Sequence, residues 1–256
     1  MHFPRRIICL SGEATDILIR IGAGDRLVGV SAFAHLPEPW NHIPRVSGFE
    51  SANLERIRQL EPDLIIAYSD VQATLVGDFV RDGFTVLATN QRSLMEIAET
   101  IEMIGRVVGA PEAGRELAED FRVRIQPVKA DRARPKVYFE EWPEPMVSGI
   151  CWVSELIEAA GGEDIFPEFR RTKKAEQRVV SSEEIIRRNP DIMVASWCGK
   201  KADLGTIRSR PGWEAIGAVQ RGQVYEMDSS IILQPGPVLM EGLDELRRII
   251  ESLRTA

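Results

Sequence analysis

The chain has 256 residues, of which 44% are hydrophobic and 28% are charged, and its formal net charge is -7. This composition is typical of globular proteins, and the length allows two lobes of roughly 100 residues each. Acidic and basic residues are interspersed along the chain, whereas nucleic-acid binding needs clustered positive charge. The composition therefore argues against a nucleic-acid partner.

The cysteines and the amino-terminal residues indicate no disulfide framework and no signal peptide. Cys9, Cys151 and Cys198 are odd in number and widely spaced, so we expect buried free thiols. No stretch approaches the roughly 18 apolar residues of a membrane span. Residues 1–6 are basic, but the apolar run that follows them is too short for a signal-peptide core. A cytoplasmic protein and a protein whose leader was removed both remain open.

Strand and helix patterns alternate over the first third of the chain. Short apolar runs at residues 7–10, 27–30, 64–67 and 85–87 predict buried strands. Helices are predicted between them, one ending near residue 21 and one capped by Asn53. This alternation implies a parallel sheet covered on both faces. A Pro-rich loop at 31–52 is long enough to indicate a functional segment.

The middle and the last third of the chain complete the predicted architecture. Residues 93–108 and 112–129 have helical periodicity without a strand between them, which predicts a stiff connector at 92–132. Strands are then predicted at 136–139, 192–195 and 224–225, and helices at 153–160, at 181–188 with Ser181 as cap, and at 239–253. The predicted fold class is α/β: two Rossmann-like lobes with mainly parallel sheets, at 1–91 and 133–256, joined by the helical connector.

The two halves of the chain resemble each other in sequence. Residues 53–67 match residues 181–195 without gaps, including the cap, a glutamate, an isoleucine and a Pro-Asp pair. Residues 18–25 match residues 156–163 in the same order. Two such lobes would place a ligand in a cleft at the carboxyl ends of their strands. No dinucleotide fingerprint, P-loop or Gly-x-Ser-x-Gly elbow is present, so we expect a binding protein and not an enzyme.

Over nearly its whole length the chain resembles the class III periplasmic binding proteins, in particular the cobalamin-binding branch. The matching stretches are IICLS at 7–11, ATD at 14–16, LVGVS at 27–31, PRVS at 44–47, NLERI at 53–57, PDLIIA at 62–67, GGEDIF at 161–166 and RPGW at 210–213. The resemblance implies two lobes joined by one long helix, and a periplasmic, monomeric component of an ABC importer that captures cobalamin or another corrinoid.

The resemblance also implies which aromatic side chains pack on a flat corrin ring. In the first lobe these are Phe33, Phe49 and Tyr68, and in the second lobe Trp152 and Trp197. Aromatic side chains bury a large area at little cost in entropy, which suits a flat apolar disc. Phe33 and Phe49 stand where the resemblance leads us to expect a tyrosine and a tryptophan. Haem or a ferric siderophore is therefore an alternative ligand.

Two further expectations, and two alternative functions, follow from the resemblance and from the side chains near the implied cleft. The family docks its permease dimer through one surface glutamate on each lobe, which maps onto Glu55 and Glu214. His35, Cys151 and Cys198 are candidates for coordinating a cobalt or iron centre. Two alternatives remain: a cytoplasmic corrinoid-binding protein without a transporter, and a metal-inserting chelatase that uses His35 with Asp70.

Overall fold

The computed structural model describes residues 2–128 and 133–255. The fold is α/β, and contacts within the chain divide it into two compact units. Unit 1 comprises Met1–Gln91, Met95–Val123 and Pro235–Pro237, and unit 2 comprises Arg92–Leu94, Arg124–Gln234 and Val238–Ala256. The predicted pair of α/β lobes with mainly parallel sheets is confirmed.

Unit 1 is built on a five-stranded parallel sheet with the order β3-β2-β1-β4-β5. Its strands are β1 (Ile7–Cys9), β2 (Leu27–Ser31), β3 (Arg45–Ser47), β4 (Leu64–Tyr68) and β5 (Val86–Thr89). The central strands β1 and β4 are buried except at Tyr68, the last residue of β4, because helices cover both faces of a parallel sheet. Each strand therefore points its carboxyl end, and the loop after it, to the same edge of the sheet.

The helices of unit 1 include one that begins at a predicted cap. They are α1 (Gly12–Arg20), α2 (Leu54–Gln59), α3 (Ala73–Arg81), α4 (Leu94–Val107) and α5 (Pro111–Arg124). The side chain of Asn53 accepts a hydrogen bond from the Arg56 amide at 3.0 Å, so this predicted N-cap is confirmed. The predicted loop at 31–52 contains β3, a three-residue edge strand too short for its periodicity to be recognised.

Unit 2 contains a second sheet with the order β10-β9-β6-β7, and β8 also pairs with β6. The strands are β6 (Lys136–Pro143), β7 (Met146–Ser148), β8 (Glu163–Asp164), β9 (Ile192–Ala195) and β10 (Val224–Glu226). All pairings are parallel except that of β6 with β7, which form an antiparallel hairpin. This hairpin extends β6 four residues beyond the predicted strand end at Phe139.

The helices of unit 2 enclose its sheet and a core of aromatic and aliphatic side chains. They are α6 (Cys151–Ala159), α7 (Ser182–Arg188), α8 (Leu204–Arg208), α9 (Gly217–Gln220), α10 (Ser229–Ile232) and α11 (Leu239–Thr255). The hydroxyl of Ser181 accepts a hydrogen bond from the Glu184 amide at 3.3 Å, which confirms the second predicted cap. Across the described residues, no helix is long and apolar enough to cross a bilayer.

The internal repeat seen in the sequence corresponds to a repeated sheet topology. The strand order β2-β1-β4-β5 in unit 1 matches β8-β6-β9-β10 in unit 2. The Pro-Asp pair has the same role in both units. Asp63 accepts from the Arg6 amide at 2.9 Å, and Asp191 accepts from the Lys136 amide at 2.9 Å. Each aspartate thus fixes the start of a central strand, because its own amide also donates to the same residue's carbonyl.

For the second matched pair of stretches, 18–25 and 156–163, the structurally equivalent residues differ by one position from those that the sequence match pairs. Helix α1 ends at a left-handed Gly22 and helix α6 ends at a left-handed Gly161, with φ of 74° and 91°. Gly22 is therefore the counterpart of Gly161, whereas the sequence match pairs it with Ala160. A left-handed residue closes a helix through backbone hydrogen bonds, and glycine adopts this conformation without strain.

Helices α4 and α5 form a hairpin and differ from the single stiff rod predicted at 92–132. Arg122 Nη2 lies 2.9 Å from Glu102 Oε2, although twenty positions along one straight helix would separate them by about 30 Å. The chain reverses at Gly109, whose φ is 75°. Both helices belong to unit 1 over Met95–Val123. The predicted connector residues 129–132 lie outside the described part of the chain.

Candidate functional site

Two phenylalanines form an exposed aromatic surface at the carboxyl edge of the unit 1 sheet. Phe33 follows β2 and is 53% exposed, and Phe49 follows β3 and is 54% exposed. Their ring centroids lie 6.3 Å apart with the planes at 87°, an edge-to-face arrangement. Adjacent exposed apolar rings are a feature of binding surfaces.

The loop that carries Phe33 is held by a guanidinium. Arg45 on β3 donates to the carbonyl of Ser31 at 2.9 Å and to that of Ala34 at 2.5 Å. The Ala34 amide closes the turn by donating to Ser31 at 3.1 Å. These contacts fix the backbone on both sides of Phe33, so its ring is presented from an ordered turn.

The loop that carries Phe49 is held by the amide of Gln72. This side chain is buried and donates to the carbonyls of Leu10 and Phe49, both at 3.0 Å. Its oxygen accepts from the Tyr68 amide at 2.9 Å. One glutamine therefore ties the ends of β1 and β4 to the Phe49 loop, which sets the position of the aromatic surface relative to the sheet.

Tyr68, the third predicted site residue of unit 1, lies at the end of β4 and is half-buried. Its hydroxyl donates to the carbonyl of Gln91 at 3.2 Å, which orients the ring along the carboxyl edge of the sheet. Ser69 follows with a φ of 60°, and its hydroxyl accepts from the Val71 amide. The chain thus turns sharply away after Tyr68.

The two tryptophans predicted to contact the ligand in unit 2 are buried in its interior. Trp152 is 3% exposed and its indole donates to the carbonyl of Ile232 at 3.0 Å. Trp197 is 6% exposed and donates to Glu140 at 3.1 Å. Packing and these hydrogen bonds account for the positions of both side chains without a ligand. The adjacent residues of the Trp197 loop, rather than its indole, face the surface.

A pocket of about 340 Å³ opens beside that loop, and most of its wall is apolar. It is lined by Glu141, Trp142, Pro145, Val147, Ala175, Glu176, Val179 and Cys198. Trp142 was not among the predicted site residues because the predicted strand stopped at Phe139. In the structure β6 runs to Pro143 and brings Trp142 to its carboxyl end. A predicted strand extended to residue 143 would have placed Trp142 at its carboxyl end.

A buried ion pair supports the loop beside this pocket. Glu140 is 1% exposed and accepts from Arg210 Nη2 at 3.0 Å as well as from the Trp197 indole. Beyond this pair, Lys200 Nζ lies 4.4 Å from the ring centroid of Trp142 and 4.9 Å from that of Trp197. The ammonium therefore bridges two indoles by cation–π contacts, and the Trp197–Lys200 segment is held from both sides.

The three metal-ligand candidates lie in different surroundings. His35 is exposed, close in sequence to Phe33. Cys151 is buried, and its thiol lies 3.7 Å from a carboxylate oxygen of Glu155. Cys198 is exposed, so the expectation of a buried thiol was wrong there. Burial and then Glu141 raise the pKa of Cys198, which keeps the thiol protonated. No group of three or more metal-binding side chains occurs within residues 2–128 and 133–255.

A buried carboxyl group lies in the first turn of α1, directly after β1. Glu13 is 3% exposed, and burial raises its pKa from 4.5 to about 7, an effect that the Ser11 hydroxyl partly offsets. Gly236 packs against Glu13 so closely that there is no room for a side chain at position 236. A Cβ added to Gly236 would lie 2.6 Å from the Glu13 Cβ. Glu13 is therefore ionisable near neutral pH inside the edge of unit 1 that carries the aromatic surface.

The two predicted docking glutamates are both exposed, but they occupy unlike positions. Glu55 lies in the first turn of α2, and Glu214 lies in a single 3-10 turn, Trp213–Ala215. The structural counterpart of Glu55 is Glu183, which lies in the first turn of α7 two residues after its cap. The sequence repeat already pairs Glu55 with Glu183. Among the described residues, neither of these two carboxylates has an ion pair.

Comparison with known proteins gives matches over nearly the whole chain. The chain is 29% identical over 252 residues to the vitamin B12-binding protein of Vibrio cholerae, covering 95% of this chain and 88% of that protein. It is 27% identical over 264 residues to an ABC transporter substrate-binding lipoprotein of Bacillus subtilis, YvrC, covering 96% and 80% respectively.

Solved structures and a family model agree with these relatives. A possible iron-binding, periplasmic solute-binding protein of Staphylococcus epidermidis superposes with a TM-score of 0.83 at 25% identity, covering 97% of this chain and 99% of that one. The vitamin B12-binding protein BtuF of Vibrio cholerae superposes with a TM-score of 0.76 at 26% identity, covering 99% of both chains. The family model described as periplasmic binding protein matches residues 7–231. The chain therefore belongs to the periplasmic binding protein family, the solute-binding, non-enzymatic components of ABC importers.

Proposed function

We propose that the protein captures cobalamin or another corrinoid and delivers it to an ABC importer. The observation that carries this proposal is the edge-to-face pair of Phe33 and Phe49, two half-exposed rings that ordered loops hold at the carboxyl edge of a parallel sheet. A flat macrocycle with a large apolar face would cover both rings. Covering a fully exposed phenylalanine contributes about 1.5–3 kcal/mol, and each of these half-exposed rings would contribute about half of that.

The names of the relatives support the corrinoid as ligand. The Vibrio cholerae protein is named for vitamin B12 binding, and it matches this chain over both units. Tyr68 adds an aromatic side chain at the same edge of unit 1. In unit 2, the apolar pocket lined by Trp142 has a volume of about 340 Å³, which suits a peripheral side chain of a corrinoid and is too small for a whole corrin.

Haem or another iron chelate is the second candidate ligand. One structural relative is described as possibly iron-binding, and His35 places an exposed imidazole two positions after Phe33. Neutral imidazole is a common ligand of haem iron. In that version the phenylalanines would contact the porphyrin face and His35 would supply an axial nitrogen.

We further propose that the protein works outside the cytoplasmic membrane and docks on the two halves of a permease dimer through glutamates. The relatives include a lipoprotein component of an ABC transporter. Because the internal repeat makes Glu183 the counterpart of Glu55, these two carboxylates are better matched for docking on a two-fold partner than Glu55 and Glu214. Exposed charges of this kind set orientation and association rate.

A spectroscopic titration tests the ligand directly. The purified protein is titrated with cyanocobalamin and, separately, with haemin, while absorbance and the thermal midpoint are recorded. The proposal predicts a saturable change in the corrin spectrum and a raised midpoint, because a ligand that binds only the folded state stabilises it. A response to haemin alone would replace cobalamin with haem, and no response to either would remove the tetrapyrrole assignment.

A further inference from the structure

The pocket of unit 2 carries one uncompensated charge among an otherwise apolar set of side chains. Its charged lining residues are Glu141 and Glu176. Arg178 neutralises Glu141 through two contacts, at 2.6 Å and 3.1 Å. Glu176 is exposed, and within the described residues it takes part in no ion pair. Lys200 contacts the rings of Trp142 and Trp197 and does not line the pocket.

The backbone turn that carries Glu176 is anchored to the rest of unit 2. It lies in a short 3-10 turn, Ala175–Arg178. Arg178, at the end of that turn, is 3% exposed and also donates to the carbonyl of Ser148. The adjacent Val179 bridges to Val147 on β7. The turn is thus anchored to the hairpin of unit 2, which places Glu176 in the lining of the pocket.

We propose that Glu176 is a specificity-determining residue that makes this pocket accept the amide rim of a corrinoid and reject a rim that carries carboxylates. The inference rests on the proposed function. An amide N–H donates a charge-assisted hydrogen bond to a carboxylate. A ligand carboxylate at the same place meets like charge, and rejection by repulsion is a common source of specificity. Haem, whose rim carries two propionates, is disfavoured by the same residue.

The test compares corrinoids that differ by a single charge. Cyanocobalamin and its monocarboxylic derivatives, in which one peripheral amide is hydrolysed, are titrated into the wild-type protein, Glu176→Gln and Glu163→Gln. Glu163 is an exposed glutamate of the same unit outside the pocket, so its substitution is the matched control. Wild-type protein should bind cyanocobalamin about fivefold more tightly than at least one derivative, the effect of two charges some 4 Å apart in water.

The substitution and the ionic strength give two independent readouts of the same charge. Glu176→Gln should bring that affinity ratio close to one, while Glu163→Gln should leave it unchanged. Raising the salt concentration should shrink the ratio in the wild-type protein because exposed charges are screened. If the protein binds every corrinoid with a ratio that Glu176→Gln does not alter, the role of Glu176 is wrong and the proposed function stands. Failure to bind any corrinoid, or binding of haemin instead, overturns both.

Discussion

The ring of Phe33 meets the ring of Phe49 edge to face, with 6.3 Å between their centroids, although the two residues come from loops that follow different strands. Arg45 fixes the first loop and Gln72 fixes the second, in both cases through backbone carbonyls. A ligand would therefore find the two rings already placed. Binding to an ordered surface costs less entropy than binding to one that must be organised first.

The hairpin of α4 and α5 depends on two glycines at its closest approach. A Cβ on Gly105 would lie 2.7 Å from the Gly114 Cα, and a Cβ on Gly114 would lie 2.9 Å from the Gly105 Cα. Both contacts are with backbone atoms, which cannot rotate away. We expect Gly105→Ala to lower the free energy of unfolding by about 1–3 kcal/mol, measured by urea denaturation.

A third glycine provides the matched control for that prediction. Gly77 lies within α3, and a Cβ there would meet only the end of the Arg81 side chain, at 3.7 Å. Alanine has the higher helix propensity, so Gly77→Ala should raise the free energy of unfolding by about 0.5–1 kcal/mol. Equal effects of the two substitutions would mean that α4 and α5 do not pack as closely as described.

The buried carboxyl of Glu13 makes stability depend on pH. The unfolded chain loses this proton near pH 4.5, whereas the folded protein holds it until about pH 7. Between these values the folded state binds more protons, so the free energy of unfolding falls as the pH rises. The contribution is fully present below pH 4.5 and is lost above pH 7. Its total size is on the order of 3 kcal/mol.

Comparison with Glu13→Gln isolates this group from the other titrating side chains. Glutamine has the same shape and does not titrate, so the variant should gain stability relative to the wild type between pH 5 and pH 8. Urea denaturation at several pH values measures the difference. A constant difference across that range would show that Glu13 titrates normally and is not buried as described.

The Glu140–Arg210 pair offers a prediction about the interior of unit 2. The side chain of Glu140 is 2% exposed and that of Arg210 is 15% exposed. Arg210→Met leaves a buried carboxylate without its cation and should cost about 3–5 kcal/mol of stability. The double variant Glu140→Gln with Arg210→Met should recover most of that loss because no buried charge remains.

A surface pair serves as the reference for this comparison. The side chains of Arg221 and Asp191, 3.0 Å apart, are 49% and 40% exposed. Water screens such a pair, so Arg221→Met should change the unfolding free energy by less than about 1 kcal/mol. If Arg210→Met lowers the free energy of unfolding no more than Arg221→Met does, the Glu140–Arg210 pair is hydrated and is not buried.

Docking through Glu55 and Glu183 separates transport from ligand binding. In the doubly substituted protein Glu55→Lys with Glu183→Lys, the ligand affinity should stay within about twofold of wild type, because neither residue belongs to the phenylalanine pair or lines the pocket. Transport into vesicles that carry the permease should fall by on the order of tenfold or more, since reversed charges repel the partner. The same experiment with Glu55→Lys and Glu214→Lys decides which glutamate of unit 2 docks. A greater loss of transport in this second double variant would favour Glu214.

Local signals in the sequence were sufficient for the elements that local interactions determine. Asn53 and Ser181 cap helices as predicted, and the repeated Pro-Asp pair marks equivalent strand starts. The reversal between α4 and α5 was not predicted, because it depends on the fit of Gly105 against Gly114, nine positions apart, and not on periodicity.

The candidate site also combines features that the sequence predicted with features that it did not. Phe33 and Phe49 were predicted as ligand contacts because the chain resembles the class III periplasmic binding proteins, and the structure shows both rings exposed at the carboxyl edge of a sheet. The burial of Trp197 was not predicted, since its indole donates to Glu140, a carboxylate in the middle of a distant strand. Whether an aromatic side chain after a strand faces solvent or the interior depends on partners that lie far away in the sequence.

Calorimetric titration of cyanocobalamin into the wild-type protein and into Phe33→Ala, Phe49→Ala and Phe3→Ala tests the central claim most directly. Phe3 is an exposed phenylalanine of unit 1, 44% exposed and packed beside Gly109, and thus controls for loss of any surface ring. Each of the first two substitutions should weaken binding by roughly 3- to 10-fold while Phe3→Ala leaves the affinity unchanged. Wild-type affinity in both Phe33→Ala and Phe49→Ala would contradict a ligand seated on these rings.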